Sequence, residues 1–415
     1  MRVLLLNQAF HPDVVSTAQH TTDLALALVE RGHEVTVIAS TRAYDSPSTR
    51  YPLQETWKGI EIRRIWATGF GKGAKWRRLA DFSSFSLSCA GRLFRTRRHD
   101  VVVALTSPPW ISFLAALLVR ARGGRLVYWV MDLNPDAAIA AGWLKPSSAA
   151  AGLLERMSLF SLRSASTIIA LDRFMAKRIE DKGIAPERIT VLPPWAHTDS
   201  LQFDPAGRDE FRARHGLEGK FVVMYSGNHS PVHPLTTLLE AALRLREDSS
   251  IVFCFIGGGS EFRRVQAFAL DKGLGNIVCL PYQPLSGLSA SLSAADLHTV
   301  VMGNDFVGIV HPCKVYNILA LGTPFLYVGP LPSHVGDLTD NQPTWAYLAR
   351  HGEVDTVVGH IQDAARRRQI NLKDEQMAAL QFSQDHLLPP HLAVVEEGKS
   401  PEYLVAAGQG IASRG

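Results

Sequence analysis

The stretch Tyr225-Ser-Gly-Asn-His-Ser-Pro-Val-His-Pro-Leu-Thr-Thr-Leu-Leu-Glu240 decides the fold class of this chain. It predicts a β-strand that ends at Gly227, followed by a polar loop and an amphipathic helix. Two further turns of this kind are expected at residues 251–259 and 310–314, the latter opening a helix that ends at Gly322. Such turns direct backbone N–H groups and the positive end of a helix toward an anion. Three of them in one half of the chain favour a ligand that carries a diphosphate.

The composition is that of a globular protein with two domains of ordinary size. The chain has 415 residues, of which 46% are hydrophobic and 20% charged, and a net charge of +4, so charge alone indicates no partner. The four cysteines have no metal-binding or redox spacing, which favours a reducing cytoplasm. No run reaches about 18 apolar residues, so we expect no membrane-spanning helix.

Strands and helices alternate along both halves of the chain. In the first half we predict strands at residues 2–6, 34–39, 101–105, 126–131, 167–171 and 189–192, with helices at 17–31, 110–122 and 174–182. This alternation predicts mostly parallel sheets in an α/β fold. The predicted domains are 1–200 and 201–385, and a tail, 386–415, is expected to pack back on the N-terminal domain.

The turn after the first strand argues against a dinucleotide-dependent dehydrogenase. Residues 7–19 contain no glycine, although the close approach of a pyrophosphate requires glycines at that place. The chain also lacks a Walker lysine pattern and any Asp-x-Asp pair, so we expect no dedicated metal site.

Several short blocks follow one another in order along residues 1–385. They are Phe10-His-Pro-Asp13, Arg31-Gly-His-Glu-Val-Thr-Val37, Asp132-Leu-Asn-Pro-Asp136, Tyr225-Ser-Gly-Asn228, Ile256-Gly-Gly-Gly259, Leu280-Pro-Tyr-Gln283, Ala294-Ala-Asp-Leu297, Pro312-Cys-Lys314 and Leu319-Ala-Leu-Gly-Thr-Pro324. In this order they resemble the family 4 glycosyltransferases with the GT-B fold. The closest resemblance is to a subgroup with a Pro-Ser-Lys sequence, which Pro312-Cys-Lys314 matches in part.

The resemblance implies two Rossmann-like, doubly wound domains that face each other across a cleft. It implies a nucleotide-sugar donor on the C-terminal domain, an acceptor on the N-terminal domain, and hexosyl transfer with retention at the anomeric carbon. Members close to this pattern build cell-surface polysaccharides on lipid carriers, so the implied acceptor is lipid-linked or a saccharide. No cofactor is expected, since the donor is a substrate and no metal is implied.

The chain departs from the family pattern at charged positions. Asn228 and His233 stand where many members have an arginine and a lysine that bind the donor diphosphate. Ile309 and Asn317 stand where many members have two glutamates, and Met131 replaces a family histidine. Two alternatives therefore stay open, a nucleotide-sugar epimerase of similar fold and a degenerate scaffold subunit that binds a sugar nucleotide.

The expected donor-binding residues are Gly227, Asn228, His233, Gly257, Gly258, Tyr282, Gln283 and Asn317. Lys314 is expected to stabilise the leaving diphosphate, because cations must do so where no metal is bound. A lysine in the first helical turn is otherwise unfavourable for the helix dipole. His233 would add a charge only if its pKa were raised. The structural alternatives are a surface lysine, a neutral loop histidine, a packed loop tyrosine and glycines required by turn geometry alone.

In the N-terminal half, Asp132 follows a strand at the edge where parallel sheets bind ligands. Its carboxylate is expected to act in catalysis by orienting or deprotonating an acceptor hydroxyl. Asp136 is the rival carboxylate, and an Asx turn is the structural alternative. Ser16, Thr17 and Gln19 are further acceptor-binding candidates, although helix capping alone would explain Ser16 or Thr17.

Positive charge concentrates between residues 72 and 98, in Lys72-Gly-Ala-Lys-Trp-Arg-Arg78 and Arg92-Leu-Phe-Arg-Thr-Arg-Arg98. With its aromatic side chains, this segment favours contact with an anionic membrane surface. A solvated basic face over core aromatics is the alternative, and no recognition motif supports nucleic acid as a partner. We therefore expect a cytoplasmic protein that lies peripherally on the inner face of the cell membrane.

Overall fold

A computed structural model describes residues 1–44, 48–71, 75–196, 201–339, 344–370 and 372–398, without the side chain of Lys75. The chain divides into two compact units. The N-terminal unit comprises Met1–Pro194, Gly308–Val310 and the final stretch from Leu387, and the C-terminal unit comprises Trp195–Val307 and His311–His386. The predicted boundary at residue 200 falls within residues 197–200, which lie outside the described residues. The predicted tail is described only as far as residue 398.

The N-terminal unit is built on one eight-stranded sheet. Its strands are β1 (Arg2–Leu6), β2 (Glu34–Ser40), β3 (Gln54–Trp57), β4 (Ile60–Ile65), β5 (Val101–Ala104), β6 (Arg125–Trp129), β7 (Thr167–Ala170) and β8 (Ile189–Val191). They lie in the order β3-β4-β2-β1-β5-β6-β7-β8. All neighbours are parallel except the edge pair β3 and β4, which the sequence analysis did not predict. Every residue of β5 and β7 is buried, as expected for strands covered by helices on both faces.

Six of the described helices belong to the Met1–Pro194 part of this unit. They are α1 (Ser16–Glu30), α2 (Lys75–Leu93), α3 (Ile111–Arg122), α4 (Asp136–Ala140), α5 (Ala149–Ser164) and α6 (Arg173–Asp181). Helix α3 packs between α2 and α5. Among the described residues, no helix combines the length and apolar character that crossing a bilayer requires.

The C-terminal unit has a six-stranded, fully parallel sheet. Its strands are β9 (Phe221–Asn228), β10 (Ile251–Gly258), β11 (Ile277–Leu280), β12 (Leu297–Val301), β13 (Phe325–Val328) and β14 (Ala346–Ala349). Their order is β11-β10-β9-β12-β13-β14. The helices are α7 (Pro205–His215), α8 (Thr236–Arg244), α9 (Ser260–Lys272), α10 (Leu288–Ser293), α11 (Lys314–Leu321), α12 (His334–Asp337), α13 (Val354–Arg367) and α14 (Lys373–Leu380).

Strand β9 is the centre of the C-terminal core. Its alternate residues enter two apolar clusters, with Val223 and Tyr225 on one side of the sheet and Val222 and Met224 on the other. The two faces are buried because helices cover both of them. This packing fixes the register of β9, because a shift by one residue would exchange its two faces.

Asp296, directly before β12, has a structural role. Its carboxylate accepts hydrogen bonds from Arg208, from Arg212 at 2.7 Å and from the backbone N–H of Val222 at 2.7 Å. Because the arginines belong to α7, this buried pairing holds that helix on the sheet.

The last described helix, α15 (Gln384–Glu397), lies against the N-terminal unit near its end. Glu396 accepts a hydrogen bond from Arg31 at 2.6 Å and lies 2.8 Å from the His33 ring. Arg125, at the start of β6, donates to the backbone carbonyls of residues 395 and 396. These contacts join the end of the described chain to β6.

Candidate functional site

The central group of the predicted donor residues lies at the carboxyl end of β9, inside the C-terminal unit. The strand order reverses between β9 and β12, and open parallel sheets bind ligands at such switch points. Gly227, near the end of β9, has a φ of +129°, a conformation that favours glycine. The Nζ of Lys314 lies 3.8 Å from the centre of the Tyr225 ring. It is also 3.3 Å from the position that a Cβ on Gly227 would occupy.

The ammonium group of Lys314 is buried without a hydrogen-bond partner among the described residues, although the side chain as a whole is half-buried. Burial lowers the pKa of Lys314 to about 7. The face of the Tyr225 ring supplies a cation–π attraction and no formal negative charge. A buried cation without a counter-ion is costly, so this arrangement accepts an anion. The interpretation of Lys314 as a surface lysine is wrong.

The approach to Lys314 differs from the predicted third turn. Val310 lies in no strand. Helix α11 begins at Lys314, and its N-cap is Cys313. The prediction of a strand–glycine–helix turn here is therefore wrong. The position of Lys314 in the first helical turn is confirmed, and there the positive end of the helix opposes the lysine charge.

Two neutral histidines lie near Lys314. The Nδ1 of His233 lies 2.6 Å from the carbonyl oxygen of Val301, and burial, with the Lys314 charge, lowers the pKa of His233 to about 3. His229 is fully buried, its Nδ1 is 2.9 Å from the carbonyl oxygen of Gly227, and burial lowers its pKa to about 4. The idea that His233 adds a charge is wrong, because burial and a neighbouring cation both disfavour protonation.

Gly257 and Gly259 are required by the close packing where β9 and β10 end. Their φ angles are +138° and +129°. An added Cβ would lie 2.0 Å from the carbonyl oxygen of Gly227 in the first case and 2.2 Å from that of His229 in the second. The carbonyl of His229 also accepts the backbone N–H of Glu261 at 3.1 Å, so protein atoms occupy part of the first turn of α9. Turn geometry explains these two glycines.

Gly258 differs from its neighbours because the nearest obstacle to a side chain is Tyr282. A Cβ on Gly258 would meet Cε2 of Tyr282 at 3.2 Å, and the Tyr282 hydroxyl is 3.5 Å from the Gly258 carbonyl oxygen. Tyr282 exposes 58% of its surface, so it is not a packed loop residue, and its ring is available for stacking on a base.

The remaining donor candidates are less closely tied to Lys314. Asn228 is exposed at the end of β9, and Asn317 is half-buried in α11, three residues after the lysine and hence beside it on the helix surface. The Gln283 amide donates to the carbonyl of Pro281 at 2.9 Å. The structure thus groups Tyr225, Gly227 and Lys314 most tightly.

In the N-terminal unit, Asp132 lies three residues beyond the end of β6. Its side chain is exposed to solvent, yet desolvation by the surrounding protein raises its pKa to about 6, against a lowering by Arg78. A carboxylate with this pKa is ionised at neutral pH and basic enough to take up a proton.

Asp136 has a structural partner. It opens α4, and its Oδ2 lies 3.0 Å from the Nζ of Lys182, which is also 2.9 Å from Glu155. Lys182 is largely buried and forms ion pairs with both carboxylates, so Asp136 is held in a structural ion pair. Asp132 is therefore the better placed of the two carboxylates for proton transfer.

The first turn of α1 corrects the interpretation of its hydroxyl residues. The helix begins at Ser16, its N-cap is Val15, and no side chain caps it. Capping therefore explains neither Ser16 nor Thr17. The amide of Gln19 donates to the carbonyl of Val14 at 2.8 Å, which ties the loop to the helix. These residues follow β1, which lies beside β5 where the strand order of the N-terminal sheet reverses.

The basic segment contains α2, which has two distinct faces. Phe85, Cys89 and Leu93 are buried against the unit. A second face, with Phe94 just after the helix, exposes large apolar side chains, which we call the α2 stripe: Trp76, Leu79, Leu87 and Phe94. The guanidinium groups of Arg77 and Arg78 lie over the rings of Trp76 and Phe82. Lys72 and the Lys75 side chain lie outside the described residues.

The interpretation of this segment as a solvated basic face over core aromatics is incomplete. Trp76 exposes 61% of its surface and Phe94 exposes 79%, so aromatic bulk lies on the outside as well. Exposed apolar residues grouped in this way mark interaction surfaces.

Two family models together match most of the chain. Residues 17–195 match the glycosyl transferase 4-like domain, and residues 207–329 match the glycosyl transferases group 1. The chain belongs to the family 4 glycosyltransferases. A curated relative, the putative colanic acid biosynthesis glycosyl transferase WcaI of Escherichia coli strain K12, is 28% identical over 388 residues, which cover 88% of this chain and 92% of that protein.

Solved structures confirm that this glycosyltransferase has the GT-B fold with two parallel-sheet α/β units. Sucrose-phosphate synthase from Thermosynechococcus elongatus has a TM-score of 0.74 at 14% identity, covering 98% of this chain and all of that one. Anabaena HepE in complex with UDP and glucose has a TM-score of 0.73 at 14% identity, covering 96% of this chain and all of that one.

Sequence reasoning missed two residues of the cluster around Lys314. Tyr225 was predicted only to lie in a strand, although the alternation of side chains along β9 could have placed its ring on a buried face. The sequence around His229 does not indicate that this residue is buried. Its burial results from packing between the turn after β9 and the turn after β10, which are far apart in the chain. Neither could have been paired with Lys314 from spacing alone.

Proposed function

We propose that this glycosyltransferase moves a hexosyl residue from a nucleoside diphosphate sugar to a lipid-linked or saccharide acceptor, with retention at the anomeric carbon. The bond between the anomeric carbon and the diphosphate oxygen breaks, and that carbon forms a bond to an acceptor hydroxyl, which loses its proton. The carrying observation is the buried, unpaired ammonium of Lys314 at the β9–β12 switch point. In this proposal Lys314 stabilises the charge that develops on the leaving diphosphate.

The comparisons support the chemical class of the donor and the pathway. HepE was solved with UDP and glucose, and the relative WcaI is named for colanic acid biosynthesis. We therefore propose a uridine- or other nucleoside-diphosphate hexose as donor and cell-surface polysaccharide synthesis as the process. The exposed ring of Tyr282, beside Gly258, suits stacking on the base.

We assign Asp132 to the acceptor. Its raised pKa makes it a stronger base than an ordinary aspartate. The charge of Arg78 lowers this pKa and so offsets part of the effect of desolvation. In this proposal its carboxylate orients the acceptor hydroxyl and receives the proton.

We propose that transfer needs no resident metal ion. The chain has no Asp-x-Asp pair, and Lys314 supplies a cation where a metal would otherwise balance the diphosphate. EDTA should leave most of the activity, whereas complete loss that magnesium or manganese restores would contradict this assignment.

We also propose that the protein acts at the cytoplasmic face of the cell membrane. The α2 stripe combines exposed aromatic and aliphatic side chains with neighbouring arginines, the composition of interfacial helices. This position would bring the N-terminal unit to a lipid-linked acceptor.

A panel of nucleotide sugars tests the function in two steps. First, thermal shift identifies the donor, since a ligand in hundredfold excess over its Kd stabilises by about 2.7 kcal/mol. Second, the selected donor is incubated with lipid-linked saccharides and the products are identified by mass spectrometry. A changed nucleotide sugar without an acceptor would indicate an epimerase, and binding without any product would indicate a scaffold subunit.

A further inference from the structure

A groove between α3 and α5 of the N-terminal unit has no role in the function described so far. It is open to solvent and has a volume of about 630 Å³, within the range of roughly 300–1,000 Å³ that is usual for ligand sites. Its apolar part is formed by Val119, Leu159 and Phe160. Phe160 is held by an edge-to-face contact with Phe113 at 5.4 Å.

Three arginines line the same groove, and no acidic residue does. Arg120, Arg156 and Arg163 are exposed, and no described acidic side chain forms an ion pair with them. Guanidinium groups are weakly hydrated and match phosphate oxygens in a bidentate geometry. The groove therefore attracts a phosphate more strongly than a neutral ligand.

The surrounding helices also carry an excess of positive charge. Helices α2, α3 and α5 contain two acidic residues, Asp81 and Glu155. Asp81 accepts hydrogen bonds from Thr68 at 2.6 Å and from two backbone N–H groups, and Glu155 pairs with Lys182 at 2.9 Å. Their charges are thus engaged locally, and the arginines of this layer are not neutralised by them.

Helix α3 connects the groove with the α2 stripe, since it packs against both α2 and α5. Arg122 of α3 donates to the carbonyl of Phe94 at 2.7 Å, which ties the end of the α2 stripe to α3. An apolar surface and an arginine-lined groove therefore belong to neighbouring helices of one layer.

We propose that this groove binds an anionic phospholipid of the membrane, with its phosphate on Arg120, Arg156 and Arg163 and its proximal chains on the apolar part. A free phosphate would leave the apolar lining unused, and a zwitterionic lipid would bring its own cation to the arginines. This inference deepens the membrane contact of the proposed function and rests on it. Its test measures lipid binding and not sugar transfer, so the lipid groove and the proposed transferase function can each fail without the other.

The test uses short-chain lipids below their micelle concentration, so that no membrane surface is present. Calorimetry measures the binding of dihexanoyl phosphatidylglycerol, dihexanoyl phosphatidylcholine and glycerol 3-phosphate to the full chain. The groove variant combines Arg120→Gln, Arg156→Gln and Arg163→Gln. Its charge-matched control combines Arg214→Gln, Arg244→Gln and Arg263→Gln, which are exposed in the C-terminal unit.

We expect the anionic lipid to bind most tightly, and the groove variant to bind it at least about tenfold more weakly than the control. Melting temperatures of both variants should stay near that of the wild type, because the substituted side chains are exposed. Equal binding of the two lipids, equal binding of glycerol 3-phosphate, or an unchanged affinity of the groove variant would each overturn the proposal.

A second variant separates the groove from general adsorption to membranes. Trp76→Ser combined with Phe94→Ser removes exposed bulk from the α2 stripe and should leave the binding of the short-chain anionic lipid unchanged. If these substitutions abolish that binding as completely as the groove variant does, the ligand lies on the α2 stripe and the groove assignment is wrong.

Discussion

The Nζ of Lys314 lies 3.8 Å from the centre of the Tyr225 ring, with no hydrogen-bond acceptor among the described residues. A cation–π contact contributes roughly 0.5–2 kcal/mol, less than the several kcal/mol that an unpaired buried ammonium costs. The nearby histidines stay neutral and offer no negative charge. An anion bound beside Lys314 would offset this cost, and in the proposed function the donor diphosphate is that anion.

Removing the Lys314 charge should slow transfer without weakening the fold. Lys314→Met should reduce the rate by about 10²-fold or more, because a charge-stabilising group is lost from the transition state. The melting temperature should stay the same or rise, because a buried unpaired charge is removed. Steady-state kinetics and calorimetry measure both. Lys373→Met, at an exposed lysine of the same unit, is the control, and an unchanged rate for Lys314→Met would remove this lysine from the site.

Donor affinity should fall as the pH rises above about 7. Burial lowers the pKa of Lys314 to about 7, and a bound diphosphate should raise it. Above pH 7 the free protein loses a proton that the complex keeps, so binding takes up a proton and weakens by up to about tenfold per pH unit. His229 and His233, with pKa values of about 4 and 3, do not titrate in this range.

Calorimetry between pH 6.5 and 8.5, in buffers of different ionisation heat, measures this proton uptake. The Lys314→Met variant should show no such slope. A wild-type affinity that does not change with pH would mean that the donor does not contact Lys314.

The Asp132 carboxylate should control the acid limb of the activity. Its pKa is about 6, so the rate should fall as the carboxylate is protonated below that pH, by up to about tenfold per pH unit. Asp132→Asn should lower the rate by about 10²–10⁴-fold at pH 7.5. Asp136→Asn is the matched comparison. It should weaken the ion pair with Lys182 and lower stability by about 1–3 kcal/mol, with little effect on the rate of the folded enzyme. The reverse pattern would exchange the two assignments.

Neighbouring glycines should respond differently to the same substitution. Gly257→Ala places a Cβ 2.0 Å from a backbone oxygen in a left-handed conformation, so it should destabilise the C-terminal unit. Gly258→Ala meets only the movable Tyr282 ring at 3.2 Å, so it should fold normally and weaken donor binding. Thermal melting and donor titration distinguish the two. Unchanged donor affinity in Gly258→Ala would leave Gly258 with turn geometry as its sole explanation.

The α2 stripe should hold the protein on anionic vesicles. Replacing Trp76, Leu87 and Phe94 by serine should release it in flotation with phosphatidylglycerol-containing vesicles, and wild-type binding should weaken with added salt. The control replaces Leu270, Leu285 and Met377, exposed apolar residues of the C-terminal unit, by serine. If the wild type floats equally with neutral and anionic vesicles, or with neither, the interpretation of α2 as a solvated basic face is the correct one.

Much of the architecture followed from periodicity. The predicted first-half strands agree with β1, β2, β5, β6, β7 and β8 to within two residues at either end, because apolar runs between glycine or polar turns are local signals. The antiparallel pair β3 and β4 was missed, since β3 alternates between half-buried and exposed residues and lacks an apolar run. Lys314 and Gly227 were grouped as site residues on the basis of chemistry and family resemblance.

The sequence by itself determined the alternating α/β fold, the family and the residue types available for a diphosphate, because these depend on local patterning and on ordered blocks. Only the tertiary structure decided that the ammonium group of Lys314 is buried against Tyr225 and that Asp136 is paired with Lys182. It also decided that Gly257 and Gly259 are required by the close packing where β9 and β10 end. It also decided that α2 exposes its apolar stripe and that α3 and α5 form an arginine-lined groove. These properties depend on contacts between residues far apart in the chain, and burial and pKa follow from such contacts rather than from sequence spacing.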